Sequence, residues 1–538
     1  MAESFKKTTF TVMIFGIITR LIAFIFKIYL SRAVGAEALG IYQIAMAVWA
    51  LATTLCGSGL AVTVSRKTAE GIALKKREGA TVSGALLLGL ALVALLSGLF
   101  FALGDKIDIL FSDPRAISVF YILLPALVTT CAYNILRSYI MGKKRYVLFS
   151  LTELIEEILN VIAVLILLSG MLGVFSGQKA IALAFTICDV ICFFIILVIY
   201  FKEGGRFSRP EELGSIIKSS APITLMRIIS ALAVSLTAII LPQKLTESGL
   251  SISEATAEFG RATGMAYPIL FAPLAITSAL SVVLLPEIAY LNAKNDRDKI
   301  SEKVDTSMTF IFLISIIFYI IYSIFGEDIG RILFSDEKAG QFLSSAAGMI
   351  VPMAMSGFST TVLNSLGKEN TCFFNNTLSI GSLLISVIFL PKYLGIYALA
   401  IGQTACFVLT FTLNAIALEK IKIGNSAYMS PLIKCSVFAL LCFALFKLLD
   451  QWLSQYIHPN ISAILLSFTV LALYAVFLQI FGIFDIKKAI NALSKRIFKK
   501  CNNANALPHK KAKINRTAQT HPMPIQKGKK QKTPTQQG

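Results

Sequence analysis

The sequence predicts an all-α, polytopic membrane protein with about 14 transmembrane helices, and two observations support this fold class. Hydrophobic residues make up 56% of the 538 residues and charged residues only 15%, whereas roughly 25% of the residues in an ordinary soluble domain are charged. Apolar runs of about 20 residues, long enough to span a bilayer, recur along the chain. These features exclude a soluble enzyme, a disordered chain, a disulfide scaffold and an outer-membrane barrel, whose strands alternate in polarity.

Fourteen apolar runs of roughly 18–25 residues are candidate spans. The first, residues 9–30, is interpreted as a retained span and not as a signal peptide. Arg20 and Lys27 lie within it, and no small-residue cleavage site follows. The other runs are residues 39–64, 80–103, 116–141, 149–169, 180–201, 219–242, 263–286, 306–325, 341–363, 371–391, 395–419, 431–450 and 461–484.

The distribution of basic residues predicts the orientation of the chain. With fourteen spans, the N-terminus and the even-numbered loops carry 21 Lys and Arg, and the odd-numbered loops carry nine. Because cytoplasmic loops hold the excess of basic residues, we expect both termini in the cytoplasm and the protein in the cytoplasmic membrane. The segment Gln243–Ala262 has a helical composition and is expected at the outer surface.

A weak internal repeat suggests that the chain contains two similar halves. A triplet of Pro, Leu and Ser with fixed spacing occurs twice, at an offset of 227 residues. Its copies fall on spans four and ten, which cross the membrane in the same sense, so the repeat implies two parallel lobes of six helices. The copies are Pro125, Leu136 and Ser138, and then Pro352, Leu363 and Ser365.

The chain is predicted to have four parts. The tail holds 14 of the 50 Lys and Arg residues and no acidic residue. Its polar composition predicts disorder, and its charge favours anionic lipid headgroups as partners, with no nucleic acid expected. The stretch Phe484–Lys500 is predicted to form an amphipathic surface helix. The parts are an N-terminal six-helix lobe (1–201), a C-terminal six-helix lobe (202–425), two additional transmembrane helices (426–485) and a basic cytoplasmic tail (486–538).

Ionisable residues inside apolar runs are the candidate functional residues, because each is costly in a bilayer unless it faces a cavity or a partner. Arg20 and Lys27 share one face of the first span. Arg137 lies in span four and Arg227 in span seven. Together these four cations predict a positive cavity that binds a pyrophosphate, whose oxygens match guanidinium donors. For Arg137, snorkelling to the interface is the alternative.

Asp189 is the carboxylate nearest to the middle of a span. It is a candidate either for coupling H⁺ or Na⁺ to transport or for a structural pairing with Arg20 or Arg227, and the pairing is the favoured interpretation. Glu153, Glu156 and Glu157 open span five and are also candidates, and for Glu153 and Glu157 an interfacial position is the alternative.

No catalytic or metal site is predicted. The nine Cys lie mostly in apolar runs, and the three His lie in a loop or in the tail, which is unlike a metal-binding pattern. The sequence contains no GxxxxGK[ST], HExxH or GxSxG motif. We therefore expect no enzyme activity and no cofactor beyond a coupling ion.

The start of the chain resembles a known family. Residues 19–27 (TRLIAFIFK) and 31–43 (SRAVGAEALGIYQ) closely resemble the first-helix signature of the stage V sporulation protein B group. This group belongs to the multidrug/oligosaccharidyl-lipid/polysaccharide exporter superfamily. Further similar segments are 59–65, 152–157 after Gly142, and 264–287, so the resemblance covers roughly residues 5–485.

The resemblance implies a two-lobed flippase that moves lipid-linked saccharides across the membrane by alternating access, for spore cortex peptidoglycan or another polysaccharide. The cation positions of the family correspond to Arg20 and to Lys27, where the family usually has Arg. Thr263 stands where the related lipid II flippases have Arg. Two alternatives stay open. A cation-coupled multidrug exporter predicts an acidic cavity, and a non-transporting scaffold for wall-synthesis proteins predicts paired charges and no cavity.

Overall fold

The computed structural model describes residues 2–74, 79–169, 177–210, 213–424, 429–453, 455–456 and 459–480. Within these ranges the regular elements are helices, and no strand is present. The predicted all-α fold class is confirmed. The predicted surface helix and the basic tail lie outside the described residues.

The predicted apolar spans fall on helices wherever the structure describes them. Helical turns of other types lie at Gly104–Leu110 and Ala347–Met349 (3₁₀) and at Arg261–Ala266 (π). The α-helices are α1 (Ala2–Leu74), α2 (Gly79–Leu103), α3 (Arg115–Gly142), α4 (Tyr146–Leu168), α5 (Gly177–Lys202), α6 (Leu213–Glu247), α7 (Ile252–Gly260), α8 (Tyr267–Phe271), α9 (Leu274–Ala293), α10 (Arg297–Phe334), α11 (Glu337–Ala346), α12 (Ile350–Ser365), α13 (Glu369–Phe389), α14 (Pro391–Leu394), α15 (Tyr397–Lys420), α16 (Met429–Leu453) and α17 (Pro459–Ile480).

The first two predicted spans are the two arms of α1, which meet at a kink. Gly35 has φ 77° and ψ 174° there, a conformation outside the helical region. Only glycine adopts it without steric cost, because it has no Cβ. Gly40, in the second arm, allows a close approach to α7: a Cβ on it would lie 2.0 Å from the carbonyl oxygen of Thr256.

The predicted eighth span is broken into short pieces. The π turn over Arg261–Ala266 leads into α8, and Pro273 precedes α9. Because proline removes a backbone donor and clashes with the preceding turn, it interrupts the helix at this point. The helix expected before this span is present as α7, which starts at a capping box between Ser251 and Glu254.

The surfaces of the helices fit a membrane environment. Nine helices of the described chain are long and apolar enough to cross a bilayer, counting both arms of α1 as one. Large apolar side chains face outward, such as Leu95 and Phe101 at 65% exposed, which water would disfavour and lipid tolerates. The chain is therefore a multi-pass membrane protein, and the count of fourteen spans stays a prediction.

The two arms of α1 pack against most of the N-terminal helices. Helix α1 contacts α3, α4, α6 and α7. The indole of Trp49 meets the ring of Phe185 edge-on at 5.0 Å, and its Nε1 donates to the carbonyl of Leu123 across 3.2 Å. An aromatic pair with a satisfied polar end stabilises such a core.

The two copies of the sequence repeat share their local geometry. The Ser138 hydroxyl donates to the carbonyl of Asn134 across 2.7 Å, and the Ser365 hydroxyl donates to that of Thr361 across 2.8 Å. Each serine thus bonds the carbonyl four residues before it. The division into two six-helix lobes stays a prediction. Contacts group the chain into Met1–Val470 and Leu471–Gly538, and of the second group the structure describes the end of α17.

Candidate functional site

A polar cavity lies between α1, α4, α5 and the π turn, among helices that are otherwise apolar. Its volume is about 300 Å³. Lys27 lines it from the first arm of α1, and Tyr42 and Gln43 line it from the second arm. Glu157 and Asn160 line it from α4, one turn apart. The kink in α1 is what allows both arms of one helix to contribute to the same cavity.

The cavity contains one cation and one carboxylate. Glu157 and Lys27 carry opposite charges and line the same cavity, and the direct ion pairs of the described residues do not include these two. Of the two positions that the sequence left open for Glu157, interfacial or functional, its place in a cavity beside Lys27 favours the functional one. The predicted cavity was net positive, with four cations, whereas the described lining of this cavity contains one of those cations, Lys27, beside a carboxylate.

Arg20 lies on the same arm as Lys27, seven residues earlier, which is about 10 Å along a helix axis. Its side chain is exposed. Among the described residues it has no hydrogen-bond or ion-pair partner. Neighbouring side chains are apolar and outward-facing, such as Leu21 at 55% exposed. Arg20 is thus an unneutralised cation on an apolar surface, the arrangement that in a membrane requires water or a ligand.

Arg137 is held by its own neighbours. Its Nη2 pairs with Glu153 Oε2 at 2.9 Å and donates to the carbonyl of Phe149 across 3.3 Å. Its guanidinium lies 4.0 Å from the centroid of the Phe149 ring, a cation–π contact. Only 14% of the side chain is exposed. This environment stabilises Arg137 within the fold, and the structure does not place it in the Lys27 cavity.

Arg227 lies on α6 and is exposed. Its Nη1 donates to the carbonyl of Ser58, on the second arm of α1, across 3.3 Å. The bond links α6 to α1 and leaves the other guanidinium nitrogens without a partner among the described residues. The structure does not place Arg227 in the Lys27 cavity either.

Asp189 is buried in α5, with 5% of the residue exposed. Its Oδ2 accepts hydrogen bonds from two adjacent hydroxyls of α3, from Thr129 at 2.9 Å and from Thr130. The favoured pairing with Arg20 or Arg227 is wrong, because threonine donors and not a cation satisfy the carboxylate. Hydroxyls inside a membrane helix are weak signals in a sequence, which is why this environment was not predicted.

Two amides of the cavity were missed by the sequence analysis. Gln43 and Asn160 lie inside apolar runs and line the cavity beside Lys27. A neutral amide in an apolar span is less costly than a charge, so it is a less specific signal. Both amides supply donors and acceptors to the same space.

Comparison with known proteins identifies the family. The family described as polysaccharide biosynthesis protein matches residues 5–292, and the MatE family matches residues 253–390. Stage V sporulation protein B of Bacillus subtilis (strain 168) is 23% identical over 441 residues, which is 78% of this chain and 84% of that protein.

Solved structures share the fold. The lipid II flippase MurJ in its inward closed conformation has a TM-score of 0.70 at 14% identity, over 87% of this chain and 98% of MurJ. An inward-facing multidrug resistance MATE family transporter of the MOP superfamily has a TM-score of 0.62 at 16% identity, over 75% of this chain and 95% of the transporter. The resemblance seen in the first helices is confirmed: the chain belongs to the polysaccharide biosynthesis protein family and has the fold of the MOP superfamily.

Proposed function

We propose that the protein is a flippase for an anionic lipid-linked saccharide of the undecaprenyl-pyrophosphate type. The substrate would be a precursor of the cell wall, the spore cortex or another polysaccharide, moved across the cytoplasmic membrane by alternating access. Membership of the polysaccharide biosynthesis family supports this function. So do the relatives, which include a sporulation protein and a lipid II flippase.

The observation that carries the proposal is the pair of cations on the first arm of α1. Arg20 is exposed and unpaired among the described residues, and Lys27 lines a polar cavity. An unneutralised cation within a span is costly unless it serves a ligand. A pyrophosphate brings the negative charge that Arg20 lacks, and the planar fork of Arg20 can bind two of its oxygens at once.

Glu157 has a defined place in this proposal. Its carboxylate lines the same cavity as the ammonium group of Lys27 and carries the opposite charge. A pyrophosphate that approaches Lys27 competes with Glu157 for the ammonium group. The carboxylate would thus limit how tightly the substrate is held, which allows its release on the other side. Arg137 and Arg227 stay proposed as further cations for the substrate, although both have partners within the fold.

A coupling ion, H⁺ or Na⁺, is proposed as the energy source, with Glu157 and Asp189 as the carboxylates able to take part. Glu157 also favours a second candidate function, a cation-coupled multidrug exporter, because its carboxylate lines the cavity. The scaffold alternative expects paired charges and no cavity, and the unpaired Arg20 disfavours it. In the proposed orientation both termini are cytoplasmic, and the tail contacts anionic headgroups.

The test is a translocation assay in proteoliposomes with an undecaprenyl-pyrophosphate-linked sugar. We expect Arg20→Ala and Lys27→Ala to abolish transport while the protein still inserts, because removing a central charge lowers the cost of insertion. Arg209→Ala is the matched control, since Arg209 is an exposed arginine outside the helices. It should transport normally.

The two candidate functions are separated by a parallel assay with a cationic drug in the same proteoliposomes. An exporter of cationic drugs should transport the drug in Arg20→Ala and lose this transport in Glu157→Gln. Wild-type rates of lipid translocation in Arg20→Ala and Lys27→Ala would contradict the flippase proposal.

A further inference from the structure

A second cavity lies among the C-terminal helices and differs chemically from the one at Lys27. It has a volume of about 520 Å³ and lies between α8, α9, α12, α13 and α15. Its described lining contains hydroxyls, one amide and two phenylalanines, and no ionisable side chain. The hydroxyl residues are Thr277, Ser281, Ser356, Thr360, Thr361 and Thr410.

The hydrogens of most of these hydroxyls point away from the cavity. Five of the six donate to a backbone carbonyl of their own helix, over distances of 2.8 to 3.1 Å. A hydroxyl has a single hydrogen and two acceptor lone pairs. Once that hydrogen is used, the oxygen can only accept. These five are Thr277, Ser281, Ser356, Thr361 and Thr410.

The sixth hydroxyl is held in place by a buried network. Asn414 is fully buried and donates to Thr360 Oγ1 and to Ser359 Oγ, each across 3.0 Å. Asn375 donates to Asn414 Oδ1 across 2.9 Å. A satisfied network of this kind fixes the side chains that belong to it. The cavity wall at Thr360 is therefore preorganised.

The lining of this cavity indicates which class of ligand it can bind. An acceptor-rich wall binds a ligand with many O–H or N–H donors. The described lining has no carboxylate to hold a cation and no Lys or Arg to hold an anion. Phe271 and Phe407 add apolar faces, and the volume lies within the range of small-molecule sites, about 300–1,000 Å³. A neutral saccharide has this combination of donors and apolar C–H surface.

We propose that this cavity binds the neutral saccharide part of the transported lipid, at a site separate from the cations that bind the pyrophosphate. The proposal rests on the flippase function given above and deepens it. The N-terminal helices recognise the charge of the substrate, and the C-terminal helices recognise its sugar. Substrate selection between different saccharides then depends on the hydroxyl cavity.

Gly357 gives a direct way to fill the cavity. It lines the cavity from α12, and a Cβ built on it meets no atom within 4 Å. Gly357→Leu therefore places a side chain in the cavity without a backbone clash. Gly98→Leu is the matched control, because Gly98 in α2 also has nothing within 4 Å and lies in a different helix.

The experiment compares two probes on the full-length protein in nanodiscs. One probe is undecaprenyl pyrophosphate alone, and the other is the same lipid carrying diacetylchitobiose, a neutral disaccharide. We expect the wild type to bind the sugar-bearing lipid more tightly. Gly357→Leu should remove this difference and leave the affinity for the bare lipid unchanged. Thr361→Val and Thr277→Val should each weaken only the sugar-bearing lipid, by roughly 3- to 10-fold, the value of one hydrogen bond.

Each remaining outcome overturns one specific statement. If the difference between the two lipids persists in Gly357→Leu and in both Thr→Val variants, the saccharide site is not in this cavity. Equal loss in Gly98→Leu would assign the effect to general damage and also overturn the proposal. If the bare lipid does not bind, or binds independently of Arg20 and Lys27, the flippase function itself fails, which is a distinguishable result. A per-O-methylated disaccharide lacks O–H donors and should give no gain in affinity, so an equal gain would contradict the acceptor-lined site.

Discussion

The guanidinium of Arg32 donates from Nε to the carbonyl oxygen of Leu333 across 2.7 Å, between residues 301 positions apart in the chain. Its Nη2 also donates to the carbonyl of Ile332. Both carbonyls lie in the last turn of α10, where helix carbonyls lack an intrahelical partner and carry partial negative charge. Arg32 thus caps α10 from the end of the first arm of α1. Arg261 makes a second link near this end, with Asp336 at 2.9 Å.

Arg32→Met should shift the conformational equilibrium, because it keeps the length of the side chain and removes its donors. Under the proposed alternating-access function, we expect the contact between α1 and α10 to open during the cycle. The lost hydrogen bonds come from a charged donor. Their loss should raise the fraction of molecules in which α1 has separated from the end of α10 by about 10-fold or more. Distances between spin labels at Lys106 and Lys338 would report this opening.

The labels need few changes to the chain. The eight described cysteines are buried and are not expected to react with the label. Cys501, in the tail, is the remaining cysteine, and Cys501→Ser removes it. Arg297→Met is the control, since Arg297 is an exposed residue at the start of α10. An unchanged distance distribution in Arg32→Met would show that this cap does not hold the end closed.

Helix positions could be predicted from the sequence because an apolar run of bilayer length has few alternatives to a helix. The kink was not predicted: Gly35 lies between two runs, and a glycine alone does not tell whether the chain turns or continues. The side-chain partners were also not predicted. Asp189 was expected to pair with an arginine, but tertiary packing placed Thr129 and Thr130 against it. An argument from charged residues alone considers cations and carboxylates as partners and leaves out neutral hydroxyl donors such as these threonines.

Asp113 links its own loop to α7 outside the membrane and should make stability depend on pH. It is fully buried, and it accepts hydrogen bonds from Arg115 Nη2 at 2.7 Å and from Thr256 at 2.9 Å. Burial opposes ionisation, but the hydrogen bonds from Arg115 and Thr256 outweigh it and hold the pKa of Asp113 below its ordinary value. Its stabilisation is therefore complete above about pH 4, the pKa of an unfolded aspartate, and is lost as the pH falls through the lower folded pKa.

Asp113→Asn should lower the free energy of unfolding at pH 7 by about 1–3 kcal/mol, the cost of leaving buried donors poorly satisfied. Thermal unfolding of the purified protein between pH 7 and pH 3 measures this. The difference in the free energy of unfolding between the wild type and the variant should shrink as the pH falls below about 4. Asp108→Asn is the control, because Asp108 is exposed. A constant difference across this range would contradict the linkage.

The pair of Arg137 and Glu153 should show coupled effects on stability. Arg137 Nη2 and Glu153 Oε2 lie 2.9 Å apart. Because residues in direct contact do not contribute additively to stability, the effects of replacing them are expected to be coupled. We expect Arg137→Met and Glu153→Gln each to lower the melting temperature, and the double variant to lower it by less than the sum. Additive losses would mean that the pair contributes little and that the stacking on Phe149 holds Arg137.

Transport by the same variants distinguishes the roles of Arg137. A purely structural arginine predicts similar rates for Arg137→Met and Glu153→Gln once the folded fractions are equal. A substrate-binding arginine predicts that Arg137→Met loses translocation, while Glu153→Gln, which frees the guanidinium, binds the pyrophosphate lipid more tightly. The affinity for undecaprenyl pyrophosphate is the measurement that separates these cases.

Asp189 lies in an environment that can satisfy two protonation states. When ionised, it accepts from Thr129 and Thr130. The Thr129 hydroxyl also lies 3.1 Å from the carbonyl oxygen of Ala126. If Asp189 gains a proton, Thr129 can donate to Ala126 alone and accept from the carboxyl group, so no buried donor is left unsatisfied. This arrangement favours a coupling function over the pairing with an arginine that the sequence suggested.

Asp189→Asn should therefore give a stable protein that no longer responds to a pH gradient. Asparagine resembles the protonated carboxyl in shape and can still accept from Thr130, and no described cation loses its partner through the change. The melting temperature should stay near that of the wild type, in contrast to the large loss that a stranded buried cation would cause. Translocation in proteoliposomes with and without a pH gradient gives the second readout. Thr130→Val is the companion variant, since it removes a donor to the ionised form and should weaken the gradient response without abolishing it. A stable Asp189→Asn protein with a full response to the gradient would exclude Asp189 as the coupling group and leave Glu157 as the carboxylate to test.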